Sequence, residues 1–217
     1  FGRLAMQINA LTEGKEGVAR SILYAYGMAM HWKTPLQECT ESLIEGSRVA
    51  EEVGDIMVEC CSGESICATA FYSGRPLTWV DDELMRYTEK AKAYQQVVAE
   101  QMLLPPTLMA GNLMGKVHDP AVLYGEPERE KEFLRALRSS GNNLEIHVVL
   151  HLKMILAYHF ETWATIEEMV KELDTKTTMV AGHYTFYFEQ FYIGMCYCAL
   201  FKREMKSSYG KGAKRAL

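Results

Sequence analysis

His147 and His151 stand four residues apart, the interval that sets two imidazoles on one face of a helix where they could share a metal ion. The run reads His-Val-Val-Leu-His and lacks the glutamate that acts as general base in zinc proteases; Glu145 lies two residues before His147, off that face. The pair reads first as core-edge or surface histidines, with a metal-binding enzyme as the alternative. His118, His159 and His183 have no ligand-like spacing. No metal and no cofactor are expected.

Other fragments of chemistry stop short in the same way. His31-Trp32-Lys33-Thr34-Pro35-Leu36 approaches the phosphoacceptor box His-Glu-x-Arg-Thr-Pro-Leu, but its His-to-Pro interval is one residue short and Trp32 replaces the acid that assists proton removal. Glu13-Gly14-Lys15-Glu16-Gly17 has two glycines and a lysine without the order of a phosphate-binding loop or a preceding apolar strand. There is no Gly-x-Ser-x-Gly elbow for a triad hydrolase. Asp81-Asp82-Glu83 fall at a helix start, where acids favour the macrodipole. The six cysteines, Cys39, Cys60, Cys61, Cys67, Cys196 and Cys198, read as reduced thiols packed as small hydrophobes in a cytoplasmic protein. No catalytic residue is assigned.

The elements that would position such groups are helices. Of 217 residues, 48% are hydrophobic and 24% charged, which excludes a disordered chain, a collagen-like fibre and a small disulfide scaffold. A net charge of -5 gives no general attraction to nucleic acid or anionic lipid. The start, Phe1-Gly2-Arg3-Leu4, has neither an initiator Met nor a signal-peptide core, so the sequence reads as a fragment of a longer protein. Helices are expected near 16–33, 36–53, 56–73, 77–94, 95–115, 127–140, 143–161, 163–174 and 180–204. The fifth should break at Pro105-Pro106. The stretch from Tyr184 to Phe201 is dense in aromatics and carries Glu189 and Gln190 in its middle, which suits a buried helix better than a membrane span.

An internal repeat organises these helices. Pro35 and Pro76 are 41 residues apart, and the same offset maps Leu36 to Leu77, Cys39 to Val80, Leu43 to Leu84, Ser47 to Thr88 and Ala50 to Ala91. These positions step by three or four and form one helix face. Upstream, Gly27 maps to Ala68 and Met30 to Phe71, small residues among them letting paired helices approach closely. A weaker third copy carries Trp163 at the place of Leu77, Ile166 at that of Val80 and Val170 at that of Leu84, with an intervening pair over roughly 95–140. A helix-pair unit of this length marks a solenoid of tetratricopeptide-like or HEAT-like type. The fold expected is all-α, one helical-repeat domain over 1–204. Residues 205–217 should form a basic linker or a frayed helix, with Lys206, Lys211, Lys214 and Arg215.

The runs Tyr24-Ala25-Tyr26-Gly27, His31 to Leu36, Gly54-Asp55, Tyr72 to Leu77 and Asn112-Leu113-Met114-Gly115 resemble the tetratricopeptide-like helical region of large multidomain signalling kinases. In that family a Ser/Thr kinase domain and an AAA-type ATPase module precede the helical region, and GAF or PAS sensors and a histidine kinase or other output domain follow. Pro105-Pro106 departs from the family's uninterrupted helix. The resemblance implies a non-catalytic module that binds protein segments or flanking domains of its own chain and regulates ATP-dependent phosphotransfer. A free-standing adaptor is the alternative. Neither nucleic acid nor membrane is an expected partner.

Overall fold

A glycine that stops one helix and a polar residue that starts the next account for two of the sharpest boundaries. Gly54 has φ 74°, in the left-handed region, and closes a helix end in which its own N–H donates to Glu51 O while the Asp55 N–H donates to Ala50 O. The Asp55 carboxylate then accepts from the Val58 N–H at 3.2 Å, capping the following helix. Gly141, at φ 71°, and Asn142, whose Oδ1 accepts from the Glu145 N–H at 3.3 Å, repeat the device further along. Pro35 and Pro76 stand immediately before Leu36 and Leu77, with φ -54° and -52° and no N–H to strand.

This computed structural model describes Leu4, Gln7, Lys15 and residues 17–175 and 182–216. Over the described residues the chain is all-helical. Its helices are α1 (Val18–Tyr24), α2 (Leu36–Val53), α3 (Ile56–Tyr72), α4 (Leu77–Ala93), α5 (Val97–Leu113), α6 (Pro127–Ser140), α7 (Asn143–His159), α8 (Trp163–Thr175), α9 (Tyr184–Glu204) and α10 (Ser207–Ala216). The first residues of the helix expected at 180–204 lie outside the described residues, as do Glu13, Gly14 and Glu16 of the glycine-containing run.

Three local expectations change. The single helix expected to reach residue 33 ends its α-helical part at Tyr24 and continues as a π turn over Ala25–Ala29 and a 3-10 turn over Met30–Trp32. The break expected at Pro105-Pro106 does not occur, and α5 runs through both prolines. The two carbonyls that lose their N–H donors belong to Gln101 and Met102, both solvent-exposed residues. Residues 207–216, expected as linker or frayed end, form α10 and bury Tyr209, Gly212 and Ala213. A Cβ on Gly212 would come within 2.6 Å of the Tyr197 ring, so glycine there lets α10 lie directly on α9.

The chain divides into two compact units, residues 1–110 and 111–217. In the first, α1 pairs with α2 and α3 with α4. A Cβ on Gly46 would sit 2.5 Å from Ile22 Cγ2, which fixes α2 against α1. One on Gly63 would come within 2.2 Å of the Tyr87 ring, which does the same for α3 and α4. The two pairs stack in parallel register. Arg20 of α1 bonds Asp55 at the start of α3 at 2.9 Å, and Gly27 faces Ser65 about two to three turns on. Ser47 of α2 shares a hydrogen bond of 2.9 Å with the Tyr87 hydroxyl of α4, and Glu51 accepts from Lys90 Nζ at 2.8 Å.

The positions named for the expected repeat differ in burial within this unit. Leu43 and Leu84 are 0% and 1% exposed, and Ala50 and Ala91 both 0%, so both copies turn the same face inward. Leu36, Leu77 and Ala68 are half-buried, Gly27 is buried, and Pro35 and Pro76 are exposed. Burying a Leu side chain is worth about 1.5–3 kcal/mol, so this face dominates the packing of unit 1.

In the second unit α7 is the central element, buried without interruption from His151 to Ala157. Ile166 and Val170 are buried on α8, while Trp163 is half-buried beneath the Arg203 guanidinium, 4.8 Å from its ring. Tyr209 of α10 donates to Glu167 of α8 at 2.8 Å. The unit boundary falls within the last turn of α5, so α5 and α6, the pair expected over 95–140, belong to different units. The connection between them, 114–126, is far longer than the link between α3 and α4, and the Asn112 amide holds it by donating to Val122 O at 2.7 Å and Pro120 O at 3.2 Å.

Candidate functional site

Helix α3 is sandwiched on nearly all sides, and one narrow stripe of it escapes. Met57 is 49% exposed, and Cys61, Glu64, Ala68, Phe71 and Tyr72 are half-buried, at the spacing of a single helix face. The intervening positions Val58–Cys60, Ser62, Gly63, Ser65–Cys67, Thr69 and Ala70 are all buried. The buried face is set by sequence: Gly63 admits Tyr87, Thr69 exchanges a hydroxyl hydrogen bond of 2.9 Å with Thr40 of α2, and Ile66 fills the core at 0% exposure. At the end of α1 and in the turns after it, Tyr24, Met28 and Trp32 are 60%, 53% and 59% exposed.

Glu64 is the charged residue of the stripe. Crowding by its neighbours disfavours the carboxylate and pushes its pKa up to about 7, against a small opposing effect of the Ser65 hydroxyl, 3.4 Å away. No cation of the described residues pairs with it, whereas Asp55 takes Arg20, Glu83 takes Arg86 at 2.5 Å, and the buried Glu59 takes Lys90 at 2.5 Å. The thiols of Cys60 and Cys67 are pushed up by burial, Cys60 to about 11, which leaves them protonated and poor nucleophiles.

The histidine pair lies in unit 2 and is deeply buried, His147 at 4% and His151 at 5% exposure. Both face Glu189 of α9, which is 3% exposed: His147 Nε2 approaches its carboxylate to 2.6 Å and His151 Nδ1 to 3.4 Å. The shorter approach is a close imidazole–carboxylate contact set off the axis of a linear ring N–H bond. Burial pushes the Glu189 carboxyl up, but the two histidines outweigh it and hold it below the ordinary carboxylate range. Tyr192 packs edge-on to His151 and its hydroxyl lies 3.2 Å from His159 Nε2. Among the described residues no group of three or more His, Cys, Asp or Glu side chains is arranged to hold a metal ion. The arrangement ties α7 to α9 through a buried polar contact. Glu189 was missed as a partner, although an acid in the middle of an aromatic-rich helix is itself a sign that a donor waits for it in the core.

Unit 2 also has a cleft of about 770 Å³ beside α6, walled by Lys131, Arg135 and Arg138 and by the Glu130–Lys153 pair, 2.5 Å apart. Its size suits a small ligand, but Asp119, Glu130 and Glu168 offset its cations, so no ligand charge is selected. His31 sits half-buried in the 3-10 turn ahead of Pro35. All six cysteines are free thiols. No helix among the described residues is long and apolar enough to cross a membrane. Comparison with protein-family models, with curated proteins and with solved structures gives no match to the chain.

Proposed function

We propose that this chain is a non-catalytic helical-repeat module, a tetratricopeptide-like stack of antiparallel helix pairs, that docks a helical protein segment on the open face of α3. The half-buried stripe from Met57 to Tyr72, on a helix whose intervening positions are all buried, carries this reading. A helix laid along such a stripe would place apolar side chains every three to four residues against it, the helix-in-groove mode of recognition. In a multidomain signalling kinase of the kind the sequence resembles, the segment would come from a flanking domain or a partner protein. Docking would then regulate phosphotransfer. The free thiols suit a reducing compartment, the cytoplasm.

The reading is tested by selecting phage-displayed helical peptides on the wild-type chain and on Ala68→Arg and Met57→Asp variants. Ala68 is half-buried and Met57 exposed, so both changes alter the face without opening the core. The expected result is a set of peptides that bind the wild type and lose about tenfold or more, about 1.4 kcal/mol, on each variant whose helical content is unchanged. Peptides equally retained by both variants, or no enrichment on the wild type, would overturn it.

A further inference from the structure

Glu64 occupies the middle of the α3 stripe, two turns from Met57 and two from Phe71. Its surroundings on the same face are Cys61 and Ala68, which offer neither a cation nor a good donor, and the next residue's hydroxyl reaches it only at 3.4 Å. Every neighbouring acid named above has a basic partner within the chain, while this one, half-buried on the open face, has none among the described residues. A carboxylate so placed costs free energy in the unoccupied state, and a cation brought by a bound segment recovers it. Ala68, one turn on, leaves room beside it for an incoming side chain.

Resting on the docking reading above, we infer that the segment taken by α3 is an apolar helix carrying one lysine or arginine at its centre, whose charged end pairs with Glu64. The apolar residues on either side of that basic position lie toward Met57 at one end and toward Phe71 at the other. The basic residue fixes register: sliding the helix by one turn removes the cation from Glu64 and sets it against the alkyl surface of the stripe. An arginine could pair in bidentate fashion and a lysine as a point charge.

The same helical-peptide selection, repeated on Glu64→Gln and read by sequencing, tests this. On the wild type, peptides should converge on a single Lys or Arg flanked at three to four residues by apolar side chains. On Glu64→Gln that convergence should disappear while the apolar pattern remains. A selected peptide resynthesised with norleucine at the basic position should bind the wild type about tenfold more weakly and Glu64→Gln with unchanged affinity. Peptides enriched without a basic residue, or a basic preference that survives on Glu64→Gln, would overturn the pairing while leaving the docking reading intact. Absence of any enrichment on the wild type would overturn both. Far-ultraviolet circular dichroism of the variant, which is isosteric with the wild type, excludes unfolding as the cause of a lost preference.

Discussion

Glu64→Gln should make the chain more stable above neutrality and leave it unaltered in mild acid. The pKa of this carboxyl is raised by burial from 4.5 to about 7 in the folded chain. A group that binds its proton more tightly when folded adds stability below its unfolded pKa and loses that contribution as the pH rises through the folded value. The wild type therefore pays a growing penalty between about pH 4.5 and about pH 7, and the penalty is constant above. A shift of about 2.5 units at about 1.4 kcal/mol per unit gives a ceiling of about 3 kcal/mol. Part of the side chain reaches solvent, which lowers the expected effect to about 2 kcal/mol. Glutamine keeps the shape and cannot ionise. Urea unfolding of both proteins by circular dichroism at about pH 4, 6 and 8 would show the two curves meeting in acid and separating with the variant on top. A difference that stays the same at all three pH values would show that Glu64 is solvated in the folded chain and would refute the reasoning. It would also remove the energetic ground for pairing with a bound cation.

Gly63→Ala should lower the unfolding midpoint. The added Cβ comes within 2.2 Å of the Tyr87 ring, and displacing that ring costs about 1–3 kcal/mol of overpacking and the Ser47 hydrogen bond, more than the about 1 kcal/mol that alanine adds to a helix. A midpoint that rises would contradict the close packing of α3 on α4. Glu189→Gln should destabilise unit 2 by about 1–3 kcal/mol at neutral pH, because an amide replaces the carboxylate that the buried His147 and His151 face. The Glu189 carboxyl is held below the ordinary range, so its contribution is present above that range and is lost as the pH falls through the depressed value. The gap between wild type and variant should therefore close only in acid, and a gap independent of acidity would refute the charge contact.

How much could be read from the chain depends on the range of the forces involved. Helix ends were legible because their signals are local: Gly54-Asp55, Gly141-Asn142 and the prolines before Leu36 and Leu77 act within one turn of themselves. The inward face shared by Leu43 and Leu84 was legible because amphipathic spacing is a property of a single helix. Ala68 was visible as a repeat position but not as part of an open stripe, since its neighbours' burial decides that. The glycines singled out by spacing were also not those that admit a neighbour most closely: Gly46 and Gly63 do so, and Gly27 meets Ser65 at ordinary contact distance.

By itself the sequence determined an all-helical chain, nearly every helix boundary within it, and which face of α2 and α4 turns inward, because propensity, capping and periodicity are fixed by residues close together in the chain. Only the tertiary structure decided that Glu189 meets His147 and His151, that Glu64 is crowded without a counter-charge, that α5 passes through two prolines and that α10 packs on α9. Each of these depends on a partner tens of residues away or on access to water, and those follow from how the helices pack.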